Sequence, residues 1–367
     1  MKILLVIDSL DSGGAQRQLI NLAIGLKKHE HNVEILTYFP ECFYEEIIHD
    51  NNIKLTNILV ASKIRRLLEI RRYIRRGNFN AVISFMVRPS FICEISGLPH
   101  RIWTLVIGER GSPGFSYEIS TKIMRLFHFL ADSVVSNSNA KIEDTLKGSP
   151  FLKKRNCHII YNYVDLNEWK CKPKESASGG KMKVVVAATH NYNKNGMSLI
   201  KALHLLSKNE KEKLNIEWYG RGLEMPSKDD YVNEMMALID EYSLQDTIKL
   251  LPAEKNIREK YEEADVIGLF SLWEGLPNTI CEGMACGKPI LASAISDIPL
   301  LIENGVSGFL FDPNEILSIK HALQDLLRTP NKKLVEMGTI NQEKAGNLFN
   351  PDKITNQYIN ILNRRRK

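Results

Sequence analysis

Two carboxylates, Glu274 and Glu282, flank seven residues that open with Gly275, Leu276, Pro277, Asn278 and Thr279. The segment follows an apolar run at 266–270. Pro277 suits the first turn of a helix, because its missing N–H would be unpaired there anyway. Gly287 and Pro289 stop that helix after about ten residues. Its first N–H groups, on Asn278, Thr279 and Ile280, then form an open set of donors at the positive end of the helix dipole, which is a site for phosphate. A carboxylate beside such a site is unfavourable unless it binds something else, and sugar hydroxyls are natural donors to it. The constellation points to a nucleotide-sugar, with phosphate on the helix end and hydroxyls on the two acids. Taken singly, Glu282 reads equally well as a first-turn acid favoured by the dipole, and Glu274 as a solvated loop residue. Their combination with Gly-Leu-Pro-Asn favours the ligand.

These residues need a scaffold, and the hydrophobic pattern supplies one. An apolar run at 2–7, a glycine-bearing loop, helical spacing of Leu19, Leu22, Ala23 and Leu26, and a second apolar run at 33–37 open a βαβ unit. Strands are expected at 81–85, 102–106, 133–135 and 158–160. After a polar stretch at 170–181 with linker composition, the pattern restarts, with strands at 183–188, 216–219, 248–250, 266–270, 289–292 and 309–311. Repeated βα alternation in both halves predicts an α/β chain of two doubly wound, Rossmann-like parallel sheets facing across a cleft. The expected division is 1–167 and 168–347, with an amphipathic helix at 348–367 returning to the first domain.

The chain has 367 residues, 44% hydrophobic and 25% charged, which excludes disordered, collagen-like and disulfide-scaffold classes. No apolar run reaches the ~20 residues of a membrane-spanning helix, and no cleavage site follows the first apolar run, so a cytoplasmic protein is expected. Six cysteines show no CxxC pair and read as buried reduced thiols. The net charge of +6 is uneven: residues 168–347 carry −4, while 1–167 with 348–367 carry +10. Lys63–Arg76 alone holds six Arg and one Lys against a single Glu. With the tail 364–367 it is expected to meet an anionic membrane surface, Ile64, Leu67, Leu68, Ile70 and Ile74 packing inward. A solvated outer helix is the plainer reading. No nucleic-acid motif accompanies the charge.

The segment 274–293 resembles the Glu-x7-Glu signature of family 4 retaining glycosyltransferases with the GT-B fold. Gly13 and Gly14 with Gln16 and Arg17 resemble the family's first glycine-rich loop. Asn137 lies in a stretch, 135–139, similar to the strand end before the inter-lobe cleft. Asn162, in 160–165, resembles the crossover motif, and Lys194–Asn195 the phosphate-binding Lys-Gly or Lys-Asn. The stretch 304–313 resembles the strand after the signature. The motifs occur in the family's order along nearly the whole chain.

The resemblance implies a donor-binding C-terminal lobe and an acceptor-binding N-terminal lobe. Glu274 would hold donor sugar hydroxyls and Glu282 the ribose, and the backbone of 275–279 would cradle the sugar and β-phosphate. Lys194 would pair with the diphosphate, and Gly14 would let the N-lobe backbone approach it. The implied activity is retaining transfer of a hexose-type sugar from a UDP- or GDP-sugar to a glycan or lipid-linked saccharide, in capsule or lipopolysaccharide synthesis. No cofactor and no metal is expected. Two departures stand out. The family's Arg before the phosphate-binding Lys is missing from the stretch Ala188, Thr189, His190, which leaves Arg110 or Arg221 as the second phosphate contact. The acceptor-side His is replaced by Glu109 and Arg110, with Glu109 either an acceptor-side base or half of a loop salt bridge. The alternatives are a non-catalytic nucleotide-sugar binding protein and a nucleotide-sugar epimerase of similar fold.

Overall fold

The computed structural model describes residues 1–11, 13–111, 119–171, 180–223 and 230–364. The chain divides into two compact units, Met1–Tyr163 with Pro351–Lys367, and Val164–Asn350. Most of the linker stretch and the basic tail beyond residue 364 lie outside the described residues.

The first unit is built on seven parallel strands: β1 (Lys2–Val6), β2 (Asn32–Thr37), β3 (Lys54–Asn57), β4 (Ala81–Phe85), β5 (Thr104–Glu109), β6 (Ser133–Ser136) and β7 (Cys157–Ile159). Their order is β3-β2-β1-β4-β5-β6-β7. Strands covered on both faces must be apolar throughout, which is why β1 and β4 read as unbroken runs. One face is covered by helices Gly14–Lys28 and Pro351–Asn363, and the other by helices Lys63–Arg76 and Val87–Ser96. Gly25 lets the first pair meet closely, since a Cβ there would lie 2.2 Å from Thr355 Oγ1. Two features differ from expectation. Strand β3 was not foreseen, because Lys54–Asn57 is a short polar edge strand without an apolar run. Strand β5 begins and ends later, which places Glu109 inside the sheet.

The second unit has six parallel strands: β8 (Met182–Ala187), β9 (Leu214–Tyr219), β10 (Ile248–Leu251), β11 (Val266–Leu269), β12 (Ile290–Ser293) and β13 (Gly308–Phe311), in the order β10-β9-β8-β11-β12-β13. Its core runs from Val184, Val186 and Trp218 through Phe270 to Phe311. The order reverses between β8 and β11, and in such sheets ligands bind beyond the strand ends at that reversal.

Cys171 and Cys286 are joined as a disulfide, which corrects the expectation of reduced thiols for that pair. They are 115 residues apart in sequence, so no local spacing announces them. Cys42, Cys93, Cys157 and Cys281 are not in disulfides. Among the described residues, no helix is long and apolar enough to cross a membrane.

Candidate active site

The two strands flanking the reversal in the second sheet deliver the two key side chains. After β8 the chain makes a 3-10 turn, Tyr192–Lys194, and Asn195 takes a left-handed conformation (φ 61°) that aims the next helix away. Asn is among the few side chains that adopt this geometry readily, so Lys-Asn serves where Lys-Gly would. The Asn195 amide donates to the Pro313 carbonyl at 2.8 Å and locks the turn. After β11, the loop 270–277 carries Glu274. The backbone N–H of Leu272 donates to the Asn193 carbonyl at 2.8 Å, which ties the two loops together. Lys194 Nζ donates to Glu274 Oε1, and Ser271 Oγ donates to the same oxygen at 2.7 Å. Glu274 is therefore a largely buried side chain held between a cation and a hydroxyl.

The helix beyond is Asn278–Ala285, eight residues long, with Pro277 as its N-cap. Expectation had Pro277 inside the helix, but its ψ of 131° is extended and keeps it one position outside. No side chain caps this end, and the first turn holds no acid. The Ile280 N–H, expected to be open, turns back to the Pro277 carbonyl at 3.2 Å. That end of the helix still points its dipole into the space beside Lys194 and Glu274. Thr279 Oγ1 donates to the Ala187 carbonyl at the end of β8 (2.9 Å), so this helix is pinned to the same reversal. Ser296 Oγ holds the Gly275 carbonyl at 2.8 Å, while Leu276 and Glu282 are buried. Gly287, at φ 65°, ends the segment just past the C-cap.

Arg110 and Arg221 part company. Arg221 is exposed in the loop after β9, and its carbonyl accepts from the His190 N–H at 2.8 Å, which brings it beside the Lys194 loop. Arg110 is committed elsewhere, in the first unit. Its Nη1 donates to Asn162 Oδ1 (3.1 Å), its Nη2 to the Tyr358 hydroxyl (2.7 Å), and its guanidinium lies over the Phe85 ring. Asn137 Nδ2 donates to the same Asn162 oxygen at 3.2 Å. Three residues named separately from sequence thus meet on one atom, with Tyr358 of the C-terminal helix as a member that sequence reasoning missed. Gly13 and Gly14 open helix Gly14–Lys28 at the end of β1, where the first sheet reverses its order. Met86, across that reversal after β4, is held at φ 75°, a strained value for a side chain of its size.

Glu109 is neither an accessible base nor the partner of Arg110. Successive strand residues point to opposite faces, so Glu109 turns away from Arg110. It enters a buried cluster in which Arg125 Nη2 donates to Oε2 at 2.6 Å, His128 Nε2 lies 2.9 Å from Oε1, and Lys141 Nζ lies 3.5 Å from Oε2. His128 Nδ1 lies 2.8 Å from Glu94 Oε1, so one imidazole bridges two acids. Burial alone would raise the Glu109 carboxyl, but the hydrogen bond and charge of His128, then Lys141 and Arg125, hold it far below the ordinary carboxylate range. Burial raises Glu94, against the pull of His128. Burial would lower His128, yet bonding to Glu109 and Glu94 lifts it to about 9. Buried and paired with Arg125, His128 and Lys141, Glu109 serves as a structural anion.

The basic helix Lys63–Arg76 is only partly a free charged face. Arg66 donates to the Val60 carbonyl and lies over the Phe39 ring, Arg71 to the Ile95 and Ser96 carbonyls, and Arg75 to those of Ser96 and His100. Lys63, Arg65 and Arg76 stay exposed. Ile70 and Ile74 are its buried residues, while Ile64 (73%) and Leu68 (52%) face solvent, contrary to expectation. Sequence reasoning also missed an aromatic rim at the second sheet's reversal. Tyr192 lies 6.2 Å from Trp273 and 6.0 Å from Tyr231, centroid to centroid. Tyr192 and Trp273 carry one sequence signal, nearness to Lys194 and Glu274, and Tyr231 carries none. Among the described residues, no group of three or more His, Cys, Asp or Glu side chains converges as metal ligands.

Comparison with known proteins agrees with this geometry. Residues 12–168 match the model described as Glycosyltransferase Family 4, and residues 167–344 the model described as Glycosyl transferases group 1. A Campylobacter jejuni protein is 26% identical over 80% of this chain and 80% of its own length. It is named N-acetylgalactosamine-N,N'-diacetylbacillosaminyl-diphospho-undecaprenol 4-alpha-N-acetylgalactosaminyltransferase. A second C. jejuni protein, an alpha-1,4-N-acetyl-D-galactosaminyltransferase acting on a diNAcBac-PP-undecaprenol glycan, is 24% identical over 91% of this chain and 92% of its own. The crystal structure of Anabaena HepE in complex with UDP superposes with a TM-score of 0.84, at 19% identity over 99% of both chains.

Proposed function

Because this chain belongs to the family 4 glycosyltransferases of GT-B fold, we propose that it transfers a hexose-type sugar from a UDP-sugar, with retention, to a lipid-linked saccharide during surface-polysaccharide synthesis. The observation that carries the reading is the Lys194–Glu274 pair beside the uncapped start of helix Asn278–Ala285. A diphosphate entering there takes Lys194 and the helix N–H groups as its partners, and releases Glu274 to accept from sugar hydroxyls. Charge that develops on the departing diphosphate meets a preorganised cation and dipole, which is the electrostatic task such a step requires. Exposed Arg221 is the second phosphate contact in this reading, in place of the missing family Arg. The step is assigned to these residues without a metal ion.

UDP is favoured over GDP because the HepE crystal structure carries UDP, and the lipid-linked acceptor follows from the undecaprenol diphosphates in the relatives' names. Such an acceptor is held in a membrane, so the first unit, with exposed Lys63, Arg65 and Arg76, works at the cytoplasmic face of an anionic bilayer. The test is thermal unfolding in the presence of UDP-, GDP- and ADP-sugars. A ligand bound to the folded state raises stability by about 2.7 kcal/mol at a hundred times its dissociation constant. A rise with UDP-sugars that Lys194→Ala abolishes supports the reading, and no rise with any of them refutes it.

A further inference from the structure

Helix Ile119–Arg125 runs directly into the 3-10 turn Leu126–Leu130. Ile119, Ile123 and Leu126 follow the i, i+4, i+7 spacing of one helical side. All three face solvent, Ile119 at 77% and Ile123 at 52%. Phe129 extends this side and meets the exposed Phe151 edge-on, with centroids 5.9 Å apart. Exposed apolar side chains are ordinary when scattered singly, but a contiguous group marks a contact surface. Charge around the group is mostly basic: Glu143 is an exposed acid beside it, while Asp132 and Asp144 are half-buried and paired, with Arg101 and with Arg125 and Lys141. Residues 119–130 include exposed Lys122 and no acid, and residues 145–155 include exposed Lys147, Lys153, Lys154 and Arg155 and no acid.

The opposite side of the same segment explains why the apolar side stays outward. Arg125 and His128 project inward to Glu109 and Glu94, and Ser149 Oγ donates to the Arg125 carbonyl at 2.8 Å. Rotating the segment to bury Ile123 and Leu126 would pull two paired cations out of a buried cluster, which is strongly unfavourable. The ion cluster is thus a mount that fixes the segment's orientation.

We infer that this side of the first unit seats in the interfacial layer of an anionic bilayer, with Ile119, Ile123, Leu126, Phe129 and Phe151 in the acyl boundary and Lys122, Lys147, Lys153, Lys154 and Arg155 on lipid phosphates. Apolar insertion and basic rim together are the two signals that stable peripheral attachment needs. The inference deepens the proposed function, since it rests on the acceptor being lipid-linked.

The test sediments the purified full chain with vesicles of phosphatidylcholine alone or with added phosphatidylglycerol. Binding is expected only with the anionic lipid and is expected to weaken with salt. The double variant Ile123→Ser/Phe129→Ser should lower affinity at least about tenfold. Lys153→Ala and Lys154→Ala should each lower it about fivefold. All should keep the wild-type response to UDP-sugars in thermal unfolding. Wild-type chain that stays in solution overturns the inference, as do variants that bind like wild type. So does a wild-type dimer in sedimentation velocity that the double variant makes monomeric without vesicle binding by either. Vesicle binding lost in the variants supports the inference even where no sugar transfer is found, an outcome that counts against the acceptor assignment alone.

Discussion

Glu274 has two partners in the free protein, and the proposed reaction asks it to exchange one of them. Its bond from Ser271 keeps the carboxylate in place while Lys194 turns to phosphate. Glu274→Gln retains the shape but loses the charge, and should lower kcat by about 10²–10³-fold, the cost of removing one preorganised polar contact. Stability should change little, because Lys194 and Ser271 both bond to one oxygen, which the amide retains as an acceptor. A kcat drop alongside an unchanged unfolding midpoint would bear this out. Glu109→Gln should behave in the opposite way, since it breaks a buried ion cluster and costs about 3–5 kcal/mol without a selective effect on kcat. That Glu274 and Lys194 share one site was legible, because each lies in one local segment and one family motif. Glu109 was not, because its role depends on strand register and on His128, Arg125 and Lys141 arriving from other elements.

At the scale of elements, the buried cluster makes the packing of segment 119–130 pH-dependent. His128 gains a proton affinity on folding, from an ordinary 6.5 to about 9. Its contribution is therefore fully present below 6.5 and is lost as pH rises through about 9. Thermal unfolding followed across that interval should show a falling midpoint, and His128→Gln should remove the slope. The C-terminal helix makes a second prediction. Tyr358→Phe leaves a buried Arg110 N–H without its acceptor and should destabilise by about 1–3 kcal/mol, readable as a shift in denaturant midpoint. Apolar periodicity predicted most strands to within a residue or two, as at β1, β4 and β8. It failed at Lys54–Asn57, where an edge strand needs no apolar run, and at helix Lys63–Arg76, where Ile64 and Leu68 obey the period yet stay exposed.

For the whole molecule, the charge asymmetry acquires a physical meaning. In the proposed function, residues 168–347, with net −4, hold a diphosphate through Lys194, Arg221 and one helix end, because bulk charge works against it. Local donors dominate over distant charges once these are separated by more than a Debye length, about 8 Å at physiological salt. Donor affinity should accordingly fall steeply on Lys194→Ala, measured as loss of the thermal shift with UDP-sugars. The most direct measurement is transfer itself, with purified protein, a UDP-hexose or UDP-N-acetylhexosamine, and a diphospho-polyprenol-linked saccharide, the product's anomeric configuration being read by NMR. Acceptor-dependent transfer with the donor's configuration retained, slowed about 10²–10³-fold by Glu274→Gln, is the predicted result. Transfer undiminished in Glu274→Gln, or conversion of the donor to a sugar isomer without any acceptor, would contradict it.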